Sequence, residues 1–155
     1  MSTSTNTLAP PGQVDARGPR FAAWVTTGAL IAALLASAVS AVAAAAILGV
    51  QAIVFAIGAR CGPQQHPYGL IFRSLVAPRL GPATEKEPVP PLKFAQLVGL
   101  AFAAIGVVGF AVGVPLLGLI ATGFALVAAF LNAAFGICLG CQIYPLVARF
   151  RPHPV

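Results

Sequence analysis

Two long stretches of this sequence, residues 21–59 and 94–148, contain no charged residue. Each is at least about twice as long as the ~20 apolar residues that cross a bilayer once as a helix. Only 8% of the 155 residues are charged and 59% are hydrophobic, whereas a soluble domain carries roughly a quarter charged residues. The composition therefore predicts an all-α integral membrane protein whose partner is the lipid bilayer.

Each uncharged stretch has room for two helices joined by a tight turn. Ser37 and Ser40 indicate the first turn, near residues 39–41, and Pro115 begins the helix after the second turn, since proline is well tolerated in a first helical turn. A secretory signal cleaved near residues 36–38 is a less favoured interpretation, because the apolar run continues beyond that point. The sequence thus predicts one four-helix membrane domain, residues 21–148, built from two helical hairpins. Its predicted spans are residues 21–38, 42–59, 94–112 and 115–137.

All nine lysine and arginine residues lie outside these spans. They fall in the polar tail 1–20, the central loop 60–93 and the end of the chain around residues 149–155. Because cytoplasmic segments are rich in Lys and Arg, we expect both termini and the loop on the cytoplasmic side of the plasma membrane. The net charge of +6 then reflects topology and anionic lipid, and no nucleic-acid partner is expected. No Asp, Glu, Lys, Arg or His lies in a span, which disfavours an ion-driven pump.

The central loop contains one apolar segment at helical spacing. Tyr68, Ile71, Phe72, Leu75 and Val76 would share one face of a short interfacial helix. Proline residues at positions 67 and 78 would precede and end it, and residues 81–91 would form an extended linker. An apolar loop packed on the bundle explains the same residues equally well.

The two hairpins show a hint of internal duplication. Residues 20–25 (RFAAWV) open the first hairpin and residues 93–98 (KFAQLV) open the second. Each hairpin then ends close to cysteine, Cys61 in one and Cys138 with Cys141 in the other. A parallel repeat would relate the two hairpins by an axis along the membrane normal and would put the cysteines at equivalent depths.

The cysteines are the main chemical signal. Cys138 and Cys141 form a C-x-x-C pair, and on a helix this spacing puts both thiols on one face. Three interpretations remain open. In the first, the cysteines are small apolar residues that only fill space. In the second, they are a site for thiol redox or sulfane-sulfur chemistry. In the third, a metal such as zinc is held by Cys61, His66, Cys138 and Cys141.

The position of the pair complicates a redox role. At the end of the fourth helix, the partial negative charge of the helix dipole disfavours a thiolate. The difficulty disappears if Gly136 or Gly140 breaks the helix, so that residues 142–150 begin a new segment facing the sulfurs. Alternatively, Arg60 or Arg149 supplies a positive charge.

Three segments resemble a known family. They are residues 14–21 (VDARGPRF), 66–69 (HPYG) and 132–141 (NAAFGICLGC), and the likeness extends from about residue 14 to residue 149. They are similar to the actinobacterial membrane family called domain of unknown function 4395. The resemblance implies a plasma-membrane location and a setting of thiol or sulfur chemistry, and it supplies neither a catalytic residue nor a cofactor.

The leading hypothesis is a small membrane protein that handles thiol redox or sulfane sulfur at the cytoplasmic face. Cys138 and Cys141 would exchange, Cys61 would be a resolving thiol, and a thioredoxin-like protein or sulfurtransferase would dock on the basic loop 60–93. The alternative from another class is a membrane scaffold or permeation subunit without catalytic activity of its own. It predicts that the cysteines are dispensable and that bulky residues at Gly109 or Gly136 are not tolerated.

Overall fold

The computed structural model describes residues 12–150, so most of the predicted polar tail and the end of the chain beyond Phe150 lie outside the described residues. Within this range the structure is almost entirely helical, with two short strands. The elements in chain order are β1 (Gln13–Asp15), α1 (Arg17–Ser37), α2 (Ala41–Cys61), α3 (Pro67–Ile71), a π-helical turn (Phe72–Val76), α4 (Ala77–Leu80), β2 (Lys86–Pro88), α5 (Val89–Ala111), α6 (Pro115–Phe135) and α7 (Leu139–Arg149).

Four of these helices, α1, α2, α5 and α6, are long and apolar enough to cross a membrane. They confirm the predicted four-helix membrane fold, although α1 and α5 begin four and five residues earlier than the sequence suggested. α1 begins at Arg17 because the Asp15 carboxylate accepts a hydrogen bond from the Arg17 backbone N–H, at 3.0 Å. α5 begins at Val89 because its prolines occupy the first turn, where no intrahelical N–H is required.

The hairpin turns have the geometry that their residues favour. α1 ends at Ser37, and the Ser40 hydroxyl caps α2 by accepting a hydrogen bond from the Ala43 N–H at 3.2 Å. In the second turn, Gly113 has a φ of +81° and Pro115 begins α6. Both predicted turns are therefore confirmed.

The four long helices pack in the cyclic order α1, α2, α5, α6, and small residues allow close approach. A Cβ atom on Gly109 of α5 would lie 2.5 Å from the backbone N of Gly118 in α6. A Cβ atom on Gly99 would lie 2.8 Å from the Phe55 ring of α2. Contacts of this kind stabilise helix association in lipid, where apolar burial gives little driving force. The core between the helices contains Leu30, Ala33, Ala44, Leu48, Phe110 and Ala125.

This packing order is the one that a two-fold axis along the bundle would produce, since α1 contacts α6 as α2 contacts α5. The chain ends of the two hairpins differ, however. α2 ends at Cys61, whereas α6 is followed by the additional helix α7, which packs on α5. The parallel repeat therefore stays a prediction.

The N-terminal segment and the central loop are tied together at the end of the bundle where α1 begins. β1 and β2 pair in antiparallel fashion, with Val14 opposite Glu87. The Arg17 guanidinium donates to the carbonyl oxygens of Leu80 and Gly81 at 3.2 and 2.9 Å. The predicted linker 81–91 is therefore wrong in part, because it contains β2 and the first turn of α5.

The loop helix is longer and more divided than predicted. Pro78 lies in the first turn of α4 and does not end the helical segment, which continues to Leu80 and stops at Gly81, with a φ of +75°. Phe72 is buried against Phe21, with ring centroids 5.8 Å apart, while Leu75 remains 61% exposed. The predicted apolar face is therefore split between the bundle and the outer surface.

Candidate functional site

The helix that carries the C-x-x-C pair is broken by a glycine. Gly136 ends α6 in the left-handed conformation with a φ of +70°, and its N–H donates to the Asn132 carbonyl at 3.0 Å. The Ile137 N–H reaches back to the Leu131 carbonyl at 3.2 Å, which completes a glycine-based helix terminus. Of the two breaks considered from the sequence, at Gly136 or at Gly140, the structure has the one at Gly136, and the new helix begins at Leu139, three residues before residue 142.

The cysteine pair consequently lies at the beginning of α7. Cys138 is the residue that caps α7, and its sulfur accepts a hydrogen bond from the Cys141 backbone N–H at 3.3 Å. Cys138 and Cys141 are joined by a disulfide, and their Cα atoms are 5.2 Å apart. A helix N-terminus carries partial positive charge, the opposite of the helix C-terminus at which the sequence placed the pair.

The residue that packs α7 in place is Gly140. A Cβ atom there would lie 2.7 Å from both the Cα and the Cβ of Ala95 in α5. Tyr144, one turn further along α7, packs against Phe94 with ring centroids 5.9 Å apart. The pair is thus held on the side of α5 and not on a free chain end.

Two charged residues missed by the sequence reasoning lie beside the pair. The Arg20 guanidinium donates to the Ala133 carbonyl at 3.4 Å and lies near Gly136, where a Cβ atom would be 3.9 Å away. Glu87 of β2 lines a small cavity of about 300 Å³ together with Cys138 and Cys141.

Burial raises the pKa of Glu87, the negative charge of Glu85 raises it further, and the positive charge of Arg20 opposes the increase. The cation that acts on Glu87 is Arg20, whereas Arg149, one of the two cations expected beside the cysteines, is at the opposite end of α7. Arg20 and Glu87 are distant in sequence from the pair, and the packing of α1 on α6 and of α7 on α5 brings them there.

The other predicted site residues do not join this pair. Cys61 is a free, exposed thiol at the end of α2 and lines neither of the two cavities that Cys138 lines. Within residues 12–150, no group of three or more His, Cys, Asp or Glu side chains is placed to hold a metal ion. The structure therefore does not assemble Cys61, His66, Cys138 and Cys141 as one ligand group, nor the three thiols as one cluster.

His66 has a different environment from the one predicted. Its side chain is only 1% exposed, and its Nδ1 accepts a hydrogen bond from the Tyr68 backbone N–H at 3.2 Å. Burial lowers the pKa of His66 to about 4, so the imidazole is neutral at physiological pH. Since Nδ1 is an acceptor, the single proton of the neutral ring lies on Nε2.

Polar residues in the spans hold this loop onto the bundle. The Tyr68 hydroxyl donates to Gln51 Oε1 at 2.8 Å, and Gln51 Nε2 donates to Thr26 Oγ1 at 3.4 Å. The signal in the sequence was the presence of these polar residues at membrane depth. Their partner Tyr68 could not be identified without the fold.

A second, mostly apolar cavity of about 300 Å³ lies inside the bundle and includes Cys138 in its wall. It is bounded by α1, α2, α5, α6, α7 and the loop before α3. The polar residues that line it are Thr26, His66, Gln96, Asn132 and Cys138. Cys138 therefore borders both this apolar cavity and the cavity that Glu87 lines.

The fold and this site define a small helical membrane protein with four candidate spans and a C-x-x-C disulfide at one end of the bundle. The model of the family described as Domain of unknown function (DUF4395) matches residues 14–149, and the chain belongs to that family. No curated protein and no solved structure matches the chain. The family resemblance seen in the sequence is confirmed.

Proposed function

We propose that this chain is a membrane thiol–disulfide protein in which Cys138 and Cys141 are the exchanging pair. The observation that carries the proposal is the position of the pair at the N-terminus of α7, with Cys138 capping the helix. Apolar filler alone would not account for the hydrogen bond from the Cys141 N–H to the Cys138 sulfur.

The exchange follows ordinary thiolate chemistry. In the reduced pair, the Cys138 thiolate attacks a disulfide of the partner, so one partner S–S bond breaks and a mixed disulfide forms. The Cys141 thiol then loses its proton and attacks Cys138, which leaves the internal disulfide and a reduced partner. Glu87 accepts that proton, because it lies in the same small cavity and burial favours its protonated form.

We place this chemistry at the cytoplasmic face of the plasma membrane. The basic residues at the beginnings of α1 and α5 and in the central loop lie at the same end of the bundle as the pair. A thioredoxin-like protein or a sulfurtransferase would approach this end over loop 60–93 and complete the reaction. The chain itself then acts as a membrane-bound relay and needs no independent catalytic activity.

Thiol trapping in intact membranes tests the proposal. In a Cys61→Ser background, Cys138 and Cys141 are the only thiols, since the chain has three cysteines. We expect two alkylating labels after growth under reducing conditions and none under oxidising conditions. The matched control is the same chain with Cys138→Ser and Cys141→Ser. An unchanged label count in the two conditions contradicts the proposal and favours a scaffold or permeation subunit.

The proposed orientation has its own test at Cys61. This thiol is exposed and free at the end of α2. A membrane-impermeant maleimide should label it in inverted vesicles and not in intact cells, with the Cys61→Ser chain as the control for background. Labelling of Cys61 from the outside of intact cells would show that the chain has the opposite orientation.

A further inference from the structure

The apolar cavity inside the bundle reaches deep into the membrane region. Along α5 it is lined from Leu92 to Phe102, a rise of about 15 Å at 1.5 Å per residue. That distance is about half of the ~30 Å hydrocarbon core. The cavity therefore runs from the end that carries Cys138 toward the middle of the bilayer.

Two buried polar atoms near this cavity have no hydrogen-bond partner within residues 12–150. They are Nε2 of His66 and Oε1 of Gln96, and both residues line the cavity. The two groups are neighbours, because a Cβ atom on Gly58 would lie 2.8 Å from both Gln96 Oε1 and His66 Cδ2. Buried polar groups without partners cost free energy, so their presence side by side indicates a site for a ligand.

The chemical character of each atom is fixed by its surroundings. The backbone N–H of Tyr68 donates to Nδ1 of His66, so the proton of the neutral ring lies on Nε2, which is a donor. Gln96 Oε1 is an acceptor. A ligand oxygen that accepts from Nε2, and that also donates to Oε1 when it bears a hydrogen, satisfies both atoms.

The lining also restricts the class of ligand. None of the residues around the cavity is Asp, Glu, Lys or Arg, so a phosphate or carboxylate would be desolvated without a counter-charge. A volume of about 300 Å³ is at the lower end of the range for small-molecule sites and suits a single ring system. The ligand is therefore neutral, largely apolar and soluble in the bilayer.

The cysteine pair at the wall of the cavity suggests that the ligand is redox-active. Cys138 lines the same cavity as His66 and Gln96, and a dithiol that becomes a disulfide releases two electrons and two protons. We propose that the cavity binds the ring of a membrane quinone, with His66 Nε2 donating to one carbonyl oxygen and Gln96 Oε1 accepting from the hydroxyl formed there on reduction.

The dithiol of the thioredoxin-like partner first reduces the Cys138–Cys141 disulfide, by the exchange described above run in reverse, and the quinone step then balances. Two S–H bonds of Cys138 and Cys141 break and one S–S bond forms. The quinone takes up both electrons and both protons, and its two carbonyl groups become hydroxyl groups. This electron transfer rests on the proposed thiol–disulfide function, whereas binding of the quinone ring depends only on the cavity.

Binding is tested with a photoreactive azidoquinone on the full chain in phospholipid nanodiscs. A Cys138→Ala, Cys141→Ala double variant separates binding from redox chemistry. We expect the label on peptides that line the cavity, around His66 and Gln96, and competition by decylubiquinone. Label confined to lipid-facing residues, or displacement by phospholipid acyl chains and not by decylubiquinone, overturns the proposal.

Single variants test the two hydrogen bonds. His66→Asn keeps a side chain that can cap α3 but removes the Nε2 donor, and Gln96→Leu removes the acceptor. Each should weaken decylubiquinone binding by about ten- to a hundredfold. Gly49→Ala is the matched control, because a Cβ atom there meets nothing within 4 Å. If both variants bind quinone as tightly as Gly49→Ala does, the assigned contacts are wrong.

Electron transfer is measured by adding decylubiquinone to the reduced Cys61→Ser chain and counting free thiols. Loss of both thiols with formation of quinol supports the proposal. A pair that exchanges with thioredoxin but neither binds nor reduces quinone overturns this inference and leaves the proposed function standing. If quinone binds in the cavity but neither a thiol partner nor quinone oxidises the pair, the proposed thiol–disulfide function is wrong, and so is the electron transfer to quinone.

Discussion

Substituting Gly140 tests whether docking of α7 on α5 positions the cysteine pair. A Cβ atom at this residue would lie 2.7 Å from the Cα and Cβ of Ala95, where ordinary van der Waals contact begins at 3.4 Å. Because one of these atoms belongs to the backbone of α5, rotation of a side chain cannot relieve the overlap. Gly140→Ala should therefore destabilise the docked position of α7 by about 1–3 kcal/mol, the usual cost of overpacking.

That free energy corresponds to about a 5- to 150-fold larger population of undocked α7. Hydrogen exchange of the α7 amides in nanodiscs measures this population, and exchange should accelerate by the same factor while α2 is unaffected. Gly123→Ala is the matched control, since a Cβ atom at Gly123 meets nothing within 4 Å. Equal exchange of α7 in the two variants would refute the packing that we assign to Gly140.

Three further predictions concern the surroundings of the pair. Gly136→Ala puts a Cβ on a residue with a φ of +70° and should destabilise the fold by about 1–2 kcal/mol. By favouring a continuous helix it should also slow alkylation of reduced Cys138 by iodoacetamide about two- to fivefold. Burial lowers the pKa of His66 from 6.5 to about 4. Between these two pH values the imidazole is protonated in the unfolded chain and neutral in the folded chain, so the free energy of unfolding should fall as pH decreases from 6.5 to 4. Thermal unfolding should show this pH dependence, and His66→Asn should remove it. Burial and the negative charge of Glu85 raise the pKa of Glu87. The carboxyl therefore destabilises the folded chain as pH rises through the ordinary pKa of glutamate. Glu87→Gln should raise the melting temperature at pH 7 but not at pH 4.

The four spans could be predicted because each depends on a single local property. A helix in lipid needs a certain length of apolar sequence, and residues 21–59 and 94–148 provide it. The turns were equally local, since Ser40 and Pro115 favour helix starts wherever they occur. Fold class and hairpin boundaries therefore required no knowledge of tertiary contacts.

The break at Gly136 was one of several alternatives because glycine has different roles in membrane helices. Gly109 lies within α5 and packs on Gly118, whereas Gly136 ends α6 with positive φ. The glycines themselves do not separate these roles. A better signal was the apolar spacing of Leu139, Ile143 and Leu146, which one face of a separate short helix explains.

The environment of the pair could not be predicted because it depends on long-range contacts. Glu87 directly precedes α5 and reaches the cysteines because α7 packs on α5, a tertiary contact that has no local signal in the sequence. His66 was grouped with the cysteines from sequence proximity to Cys61. The tertiary structure instead buries His66 beside Tyr68 and Gln96 and leaves Cys61 exposed.

Redox titration of the Cys61→Ser chain in a bilayer tests the central claim most directly. The protein is equilibrated with thiol–disulfide buffers of known potential, and free thiols on Cys138 and Cys141 are counted by mass. We predict that both thiols appear together as one two-electron couple, with a tenfold change in ratio for about every 30 mV. Thiols that appear one at a time, or that remain unchanged across the range of the buffers, would contradict a functional C-x-x-C pair.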